Sequence, residues 1–317
     1  MKRDKQHGGI VLAALLGGAA GIGIIMVALS MARPDVDALA TVPEQPSADY
    51  GRRLLRDTAE LMGPGHENPE LRYTGSHLDC SSCHLDTGTK PGTLSLMQSA
   101  SRYPRFSGRD GGEGDMRDRI NGCMTRSMNG RELPRDSVQM VSMELYINSL
   151  QAQYSAMSAS RRTAVEPAAF AEPDRAADLQ AGQLVYEERC VVCHGVEGQG
   201  LQATLELNDG YVFPPLWGPD SFNDGAGMNR VLTASLFIKA RMPLGQPDLT
   251  DDQAFDVAAY INSKERPHMA NLEQDYPDRT TKPVDGPYPP YADDFPIEQH
   301  RFGPFRPIRE FYASQKK

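Results

Sequence analysis

Apolar positions recur at helical spacing in short stretches separated by glycine- and proline-rich loops. Leu54, Leu55, Ala59 and Met62 line one face of a helix predicted over 50–62, which Gly63-Pro64-Gly65 stops. A short helix is predicted around 94–101, within the loop 87–114, and another over 118–127. A longer one follows over 136–150, with Asp136 as its N-cap after Pro134. The second half repeats the plan. A helix over 176–188 leads to a loop over 195–227, then to helices over 229–240 and 251–263, the last capped by Thr250. Both closing helices contain one tetrapeptide, Tyr146-Ile147-Asn148-Ser149 and Tyr260-Ile261-Asn262-Ser263, which argues for a duplicated all-α unit. Beyond Pro267 the chain is proline-rich and should be extended. Its aromatics (Tyr276, Tyr288, Tyr291, Phe295, Phe302 and Phe305) predict that it packs over the domains as a wrap.

The ends and joints follow from composition. Lys2, Arg3 and Lys5 precede an uncharged stretch running from Gly8 to Arg33, the layout of a secretory signal with a candidate cleavage site at Ser30-Met31-Ala32. The stretch is also long enough for an uncleaved membrane anchor. Either way the remainder is exported, and a periplasmic location is expected. The predicted organisation is a signal peptide or anchor (1–33), a linker (34–48), a first domain (49–160), a second linker (161–175), a second domain (176–266) and the C-terminal wrap (267–317). A net charge of −9 argues against non-specific binding to nucleic acid or anionic lipid, leaving the N-terminal segment as the one expected membrane contact.

The cysteines carry the chemistry. Cys80-Ser81-Ser82-Cys83-His84 and Cys190-Val191-Val192-Cys193-His194 both read C-x-x-C-H, 110 residues apart. That spacing lets two thiols on one turn bond the vinyl groups of a haem, while the adjacent imidazole ligates its iron. A thioredoxin-like pair lacks the histidine, and a zinc site needs two further ligands nearby. Two covalently bound haems c are therefore expected, in two tandem cytochrome c-like domains. Four of the five cysteines are consumed as thioethers, so Cys123 stands alone and no intrachain disulfide can form.

In simple cytochromes c the second axial ligand is a methionine from the loop before the closing helix. In the second domain Met242, 18 residues before Tyr260, is the best-placed candidate, with Met228 as its competitor. The equivalent loop of the first domain presents Cys123, 23 residues before Tyr146, with Met116, Met124 and Met128 alongside. A methionine ligand and a buried spectator cysteine are the plainer readings there. The duplication favours Cys123, since one spare thiol occupies the loop that matches the one delivering Met242. A thiolate on ferric iron lowers the potential of its haem. Between Ser101 and Arg135 lie eight arginines, no lysine and five acidic residues, a local charge of +3. Some of these arginines are expected to pair with haem propionates. The rest mark an anion site beside the first haem.

The run Arg119-Ile120-Asn121-Gly122-Cys123-Met124-Thr125-Arg126-Ser127-Met128-Asn129-Gly130 resembles the thiosulfate dehydrogenase family of dihaem c-type cytochromes. So do Met242-Pro243-Leu244-Gly245, the helix through Val257-Ala258-Ala259-Tyr260-Ile261, and the tail segments Lys282-Pro283-Val284-Asp285 and Gln299-His300-Arg301-Phe302-Gly303-Pro304-Phe305. The resemblance covers about 45–310. It implies oxidation of two thiosulfates to tetrathionate, reversible in some members, with electrons leaving through the second haem to an external partner such as a small cytochrome c. It also implies His84 and Cys123 on the active-site iron, Arg109, Arg119 and Ser127 as substrate-holding residues, and His194 and Met242 on the other iron. Some members carry a lysine ligand directly before that methionine. Here the position is Arg241, which cannot lose its proton to ligate. Two alternatives stay open: a dihaem electron carrier with no substrate of its own, and a thiolate-haem enzyme that couples thiosulfate to a carrier protein.

Overall fold

The computed structural model describes residues 42–163 and 169–315. The signal or anchor expected at 1–33, most of the linker at 34–48 and part of that at 161–175 lie outside the described residues. Among the described residues no helix is long and apolar enough to cross a membrane. The fold is mostly helical, with two short antiparallel hairpins as its only sheet structure among those residues.

Each half is built on a pair of helices that cross at a glycine. In the first half α1 (Ala48–Arg56) begins at Ser47, whose hydroxyl accepts from Tyr50 N at 3.1 Å. A short α2 (Thr58–Met62) follows, then α3 (Met116–Arg126) and the long α4 (Val138–Ala156), against which α1 packs. A Cβ on Gly51 would lie 2.0 Å from Ser142 O and 2.9 Å from Tyr146 Cβ, so only glycine lets the two backbones approach this closely. Beyond α4 comes a one-turn α5 (Ala159–Thr163). The second half repeats the crossing with α6 (Leu179–Arg189) and α9 (Asp251–Asn262), where a Cβ on Gly182 would lie 2.1 Å from Asp256 O and 3.0 Å from Tyr260 Cβ. The tyrosine that opens each copy of the repeated tetrapeptide thus sits at the equivalent crossing. Between α6 and α9 run α7 (Val191–His194) and α8 (Val231–Arg241).

One apolar cluster fills each half. Leu54, Leu55, Met62, Met124, Met140 and Leu150 are central to the first, and Tyr186, Phe255, Val257, Phe305 and Ile308 to the second. The last two belong to the C-terminal segment. That segment includes two helices, α10 (Ile297–Phe302) and α11 (Arg306–Gln315), among otherwise irregular backbone. It also reaches the first half, where Tyr276 N donates to Arg109 O at 2.7 Å.

Local expectations needed adjustment at four places, the first being the C-terminal segment, expected to be extended, which folds α10 and α11. The helix predicted around 94–101 is not formed; the stretch is a series of turns ending in a 3₁₀ turn at Ala100–Arg102. Leu94 there adopts φ +59°, which no α-helix contains. The cap of α4 is Ser137, accepting from Met140 N at 3.2 Å, rather than Asp136. The hairpins β1–β2 (Arg105–Ser107, Gly112–Gly114) and β3–β4 (Leu201–Gln202, Tyr211–Phe213) lie in loops where no strand was expected.

Candidate active site

The first C-x-x-C-H turn is fastened to the joint between α1 and α2. Cys80 N donates to Thr58 Oγ1 at 3.0 Å, and Thr58 Oγ1 donates to Leu54 O at 2.7 Å. Asp79 Oδ1 accepts from Ala59 N at 2.9 Å, so the residue before the motif also holds the start of α2. One turn later His84 N donates to Cys80 O at 2.9 Å. The His84 ring places Nδ1 2.8 Å from Leu94 O. A carbonyl can only accept, so Nδ1 carries the proton and Nε2 presents a lone pair suited to iron. The second motif has the same arrangement, with His194 N to Cys190 O at 2.9 Å and His194 Nδ1 to Pro214 O at 2.8 Å.

Facing His84 is α3, opened by a capping box between Asp115 and Asp118. Its core side is Met116, Ile120, Asn121 and Met124, and Asn121 is locked by paired bonds with Leu133 at 3.0 and 2.9 Å. Cys123 lies off that side, its thiol within electrostatic reach of both Arg119 and His84. Arg119 precedes it by one helical turn, the spacing that brings two side chains together. The neighbouring methionines behave differently: Met116, Met124 and Met128 are buried in the apolar cluster, at 7%, 1% and 4% exposure.

Electrostatics separates Cys123 from the other thiols. Burial pushes Cys80 up to about 12, and Cys83 and Cys190 up to about 11. Burial also acts against ionisation of Cys123. The Arg119 guanidinium overcomes it and holds the thiol down at about 7. The Cys123 charge in turn raises Arg119 above the ordinary arginine range.

The arginine-rich stretch divides when seen in three dimensions. Arg117 pairs with Glu144 at 2.9 Å and with Asp136 at 3.1 Å, and Arg135 pairs with Asp115 and Asp118. Arg131 donates to Arg72 O and Glu70 O at 3.0 and 2.6 Å. Arg126 and Arg109 both bind Asp275, from the C-terminal segment. Arg109 Nη1 serves both Asp275, at 3.1 Å, and Gly225 O, at 3.0 Å, while the side chain lies within electrostatic reach of Arg119. Three of the eight arginines, Arg109, Arg117 and Arg126, thus meet carboxylates from outside the stretch, and Arg135 meets two from within it. Arg119 is the cation placed at the thiol. Ser127 ends α3, its N–H donating to Cys123 O.

Met242 stands just past α8, its N–H bonded to Ile238 O at 2.8 Å, and packs against the second apolar cluster. Its competitor Met228 touches both clusters, and Met228 O accepts from Asn262 Nδ2 at 3.0 Å.

The SoxA/TsdA cytochrome c domain family matches residues 74–154, and the cytochrome c family matches 179–265. The thiosulfate dehydrogenase of Stutzerimonas stutzeri is 39% identical over 228 residues, 70% of this chain and 68% of that protein. That of Allochromatium vinosum is 36% identical over 222 residues, 68% and 77% of the two chains. This chain belongs to the thiosulfate dehydrogenase family. Among solved structures it is similar to thiosulfate dehydrogenase (TsdBA) from Marichromatium purpuratum in its as-isolated form, with TM-score 0.61 and 32% identity. That match covers 77% of this chain and 54% of the longer one. Both halves of the family chain are cytochrome c domains, which bind haem c covalently.

Both donor sets fit that group. Each offers two thiols and an imidazole on one turn, with the ring's outer nitrogen already fixed by a carbonyl.

Several members of this machinery have no signal in the sequence. The Leu94 and Pro214 carbonyls are backbone atoms of unremarkable residues. Asp275 lies in a tail far from the cysteines. A cue for Asp275 exists only in charge balance, since arginines as buried as Arg126 require a partner.

Proposed function

We propose that this enzyme joins two thiosulfate dianions into tetrathionate, 2 S₂O₃²⁻ → S₄O₆²⁻ + 2 e⁻, at a haem held by Cys80, Cys83 and His84. The observation that carries the reading is the thiol of Cys123, facing His84 and kept ionisable by Arg119, while the nearby methionines lie in the core. His84 and Cys123 would be the residues holding the iron of that haem, and Cys190, Cys193, His194 and Met242 would hold a second haem. Covalently bound haem supplies one-electron oxidation.

The remaining work falls to side chains. Two dianions repel as their sulfurs approach, and a fixed cation lowers that barrier most where the charges meet. Arg119 takes this role, beside the reacting sulfur. Arg109, partly neutralised by Asp275, supplies a second and weaker positive field, and the Ser127 hydroxyl orients substrate oxygens. Electrons leave through the second domain to an external acceptor such as a small cytochrome c. The exported, periplasmic location expected from the N-terminal segment accords with covalent haem attachment.

The experiment is turnover of the purified holoprotein with thiosulfate and an artificial oxidant. Tetrathionate should form at one mole per two electrons, and Cys123→Ala should abolish it with both haems still attached. Full turnover by Cys123→Ala defeats the assignment. A plain electron carrier would show no thiosulfate-dependent reduction at all.

A further inference from the structure

Arg241 is the last residue of α8 and the neighbour of Met242, yet its guanidinium reaches into the first domain. Its Nη2 donates to Pro91 O and, at 3.2 Å, to Thr93 O. The next residue, Leu94, presents its own carbonyl to His84 Nδ1 at 2.8 Å. Segments from two domains, one carrying Met242 and one orienting His84, therefore meet at a single side chain.

The first of these segments needs a restraint. Leu94 has φ +59°, a left-handed conformation that a branched side chain adopts at a cost, and Gly92 has φ +93°. Such a bend persists only where its surroundings over-determine it. Two backbone bonds tie the loop to itself, Ser95 N to Gly92 O at 3.0 Å and Leu96 N to Gly88 O at 2.8 Å. The Arg241 bonds are the restraint from the other domain, and they fix the two carbonyls on either side of Gly92. The contact is part-buried: Thr93 is 7% exposed and Arg241 half-buried, the bond to Pro91 lies on the exposed side, and Thr93 Oγ1 and Arg241 Nε are buried without a partner. The two loop carbonyls are the acceptors that the guanidinium reaches.

We propose that Arg241 is a positioning residue that holds the Leu94 carbonyl on His84 from the second domain, so that the His84 and Met242 segments are set as one unit. The inference rests on the ligand assignments proposed above. Its consequence is that the ligand field of the first haem depends on a residue outside the first domain. The donated Nδ1 proton governs how basic the opposite nitrogen is, so a wandering carbonyl gives a first haem with more than one ligand state.

The test uses the holoprotein as wild type, Arg241→Gln, Leu94→Gly, the double variant and Met242→Ala, read by low-temperature electron paramagnetic resonance of the oxidised state. Arg241→Gln should shift or split the first-haem signal. Glycine takes the left-handed backbone without strain, so adding Leu94→Gly should restore one well-defined first-haem signal. A residue that merely glued the domains together would gain nothing from Leu94→Gly. The proposal is overturned by a first-haem signal that ignores Arg241→Gln, or by a split signal that Leu94→Gly leaves untouched. Met242→Ala checks the assignment beneath it. If the second-haem signal fails to respond to that change, the ligand reading falls, and the proposal with it; if it responds while Arg241→Gln does nothing, the proposal falls alone.

Discussion

Asp275 grips Arg126 through both terminal guanidinium nitrogens, at 2.9 and 2.7 Å, across 149 residues of chain. The same carboxylate accepts from Arg109 at 3.1 Å and from the Tyr288 hydroxyl at 2.6 Å, and is 7% exposed. One buried anion from the C-terminal segment thereby anchors the end of the helix that carries Cys123. Removing it leaves two guanidinium groups without their counterion, which typically costs about 3–5 kcal/mol for a buried pair. Asp275→Ala should therefore unfold at markedly lower denaturant, and Asp275→Asn, which keeps the shape, should lose less. Equilibrium denaturation of the two variants checks this.

Arg119 should matter through chemistry more than through stability. Loss of a donor aimed at developing charge typically costs about 10²–10³ in kcat. Arg119→Gln should show a fall of that size with thiosulfate, while the thermal midpoint stays close to that of the wild type. Arg119→Lys keeps the charge but loses the fork of donors, so it should recover part of the rate. Steady-state kinetics alongside thermal melts separates the two effects.

The glycine crossings bear directly on the duplicated fold. Gly51→Ala and Gly182→Ala each force a methyl group against a backbone oxygen at about 2 Å. Overpacking of this kind costs about 1–3 kcal/mol, and more where backbone must move. Both changes should lower the melting temperature, each in its own half, as seen by hydrogen exchange of α4 or of α9.

Much of this was legible beforehand because haem attachment is local chemistry. Two thiols and an imidazole must share one turn, so the motif announces the cofactor wherever it occurs. The repeated tetrapeptide was readable for a similar reason, since an interhelical contact demanding Tyr146 in one half demands Tyr260 in the other. The arginine-rich stretch misled for the opposite reason: its local charge is real, but Arg109 and Arg126 spend theirs on Asp275, whose position only tertiary structure gives. The helix expected at 94–101 failed because Leu94 turns left-handed to present a carbonyl to His84, and tertiary demand overrode propensity. Asp136 and Ser137 are both good caps, and composition alone does not choose between adjacent candidates.

Lys282 gives a test of pH dependence. It is 6% exposed, lies 4.4 Å over the Tyr288 ring, and donates to Tyr288 O and to Pro290 O. Burial, aided by Arg279, brings it down to about 8. The folded state therefore releases this proton near pH 8, while the unfolded chain keeps it to the usual lysine value of 10.5. Between those limits the unfolded state binds more protons, so this group makes the fold more stable as pH rises. Relative to Lys282→Met, the wild-type melting temperature should gain between about pH 8 and pH 10.5. A difference that is flat, or moves the other way, contradicts the burial argument.

The central claim is that Cys123 ligates the first iron as a thiolate. Electron paramagnetic resonance of the oxidised holoprotein at low temperature reads the axial ligands of both haems at once. The account predicts two low-spin ferric species, one with the narrow anisotropy of histidine–thiolate ligation, which disappears in Cys123→Ala while the other persists. Two histidine–methionine signals in the wild type, both unchanged in Cys123→Ala, would contradict it.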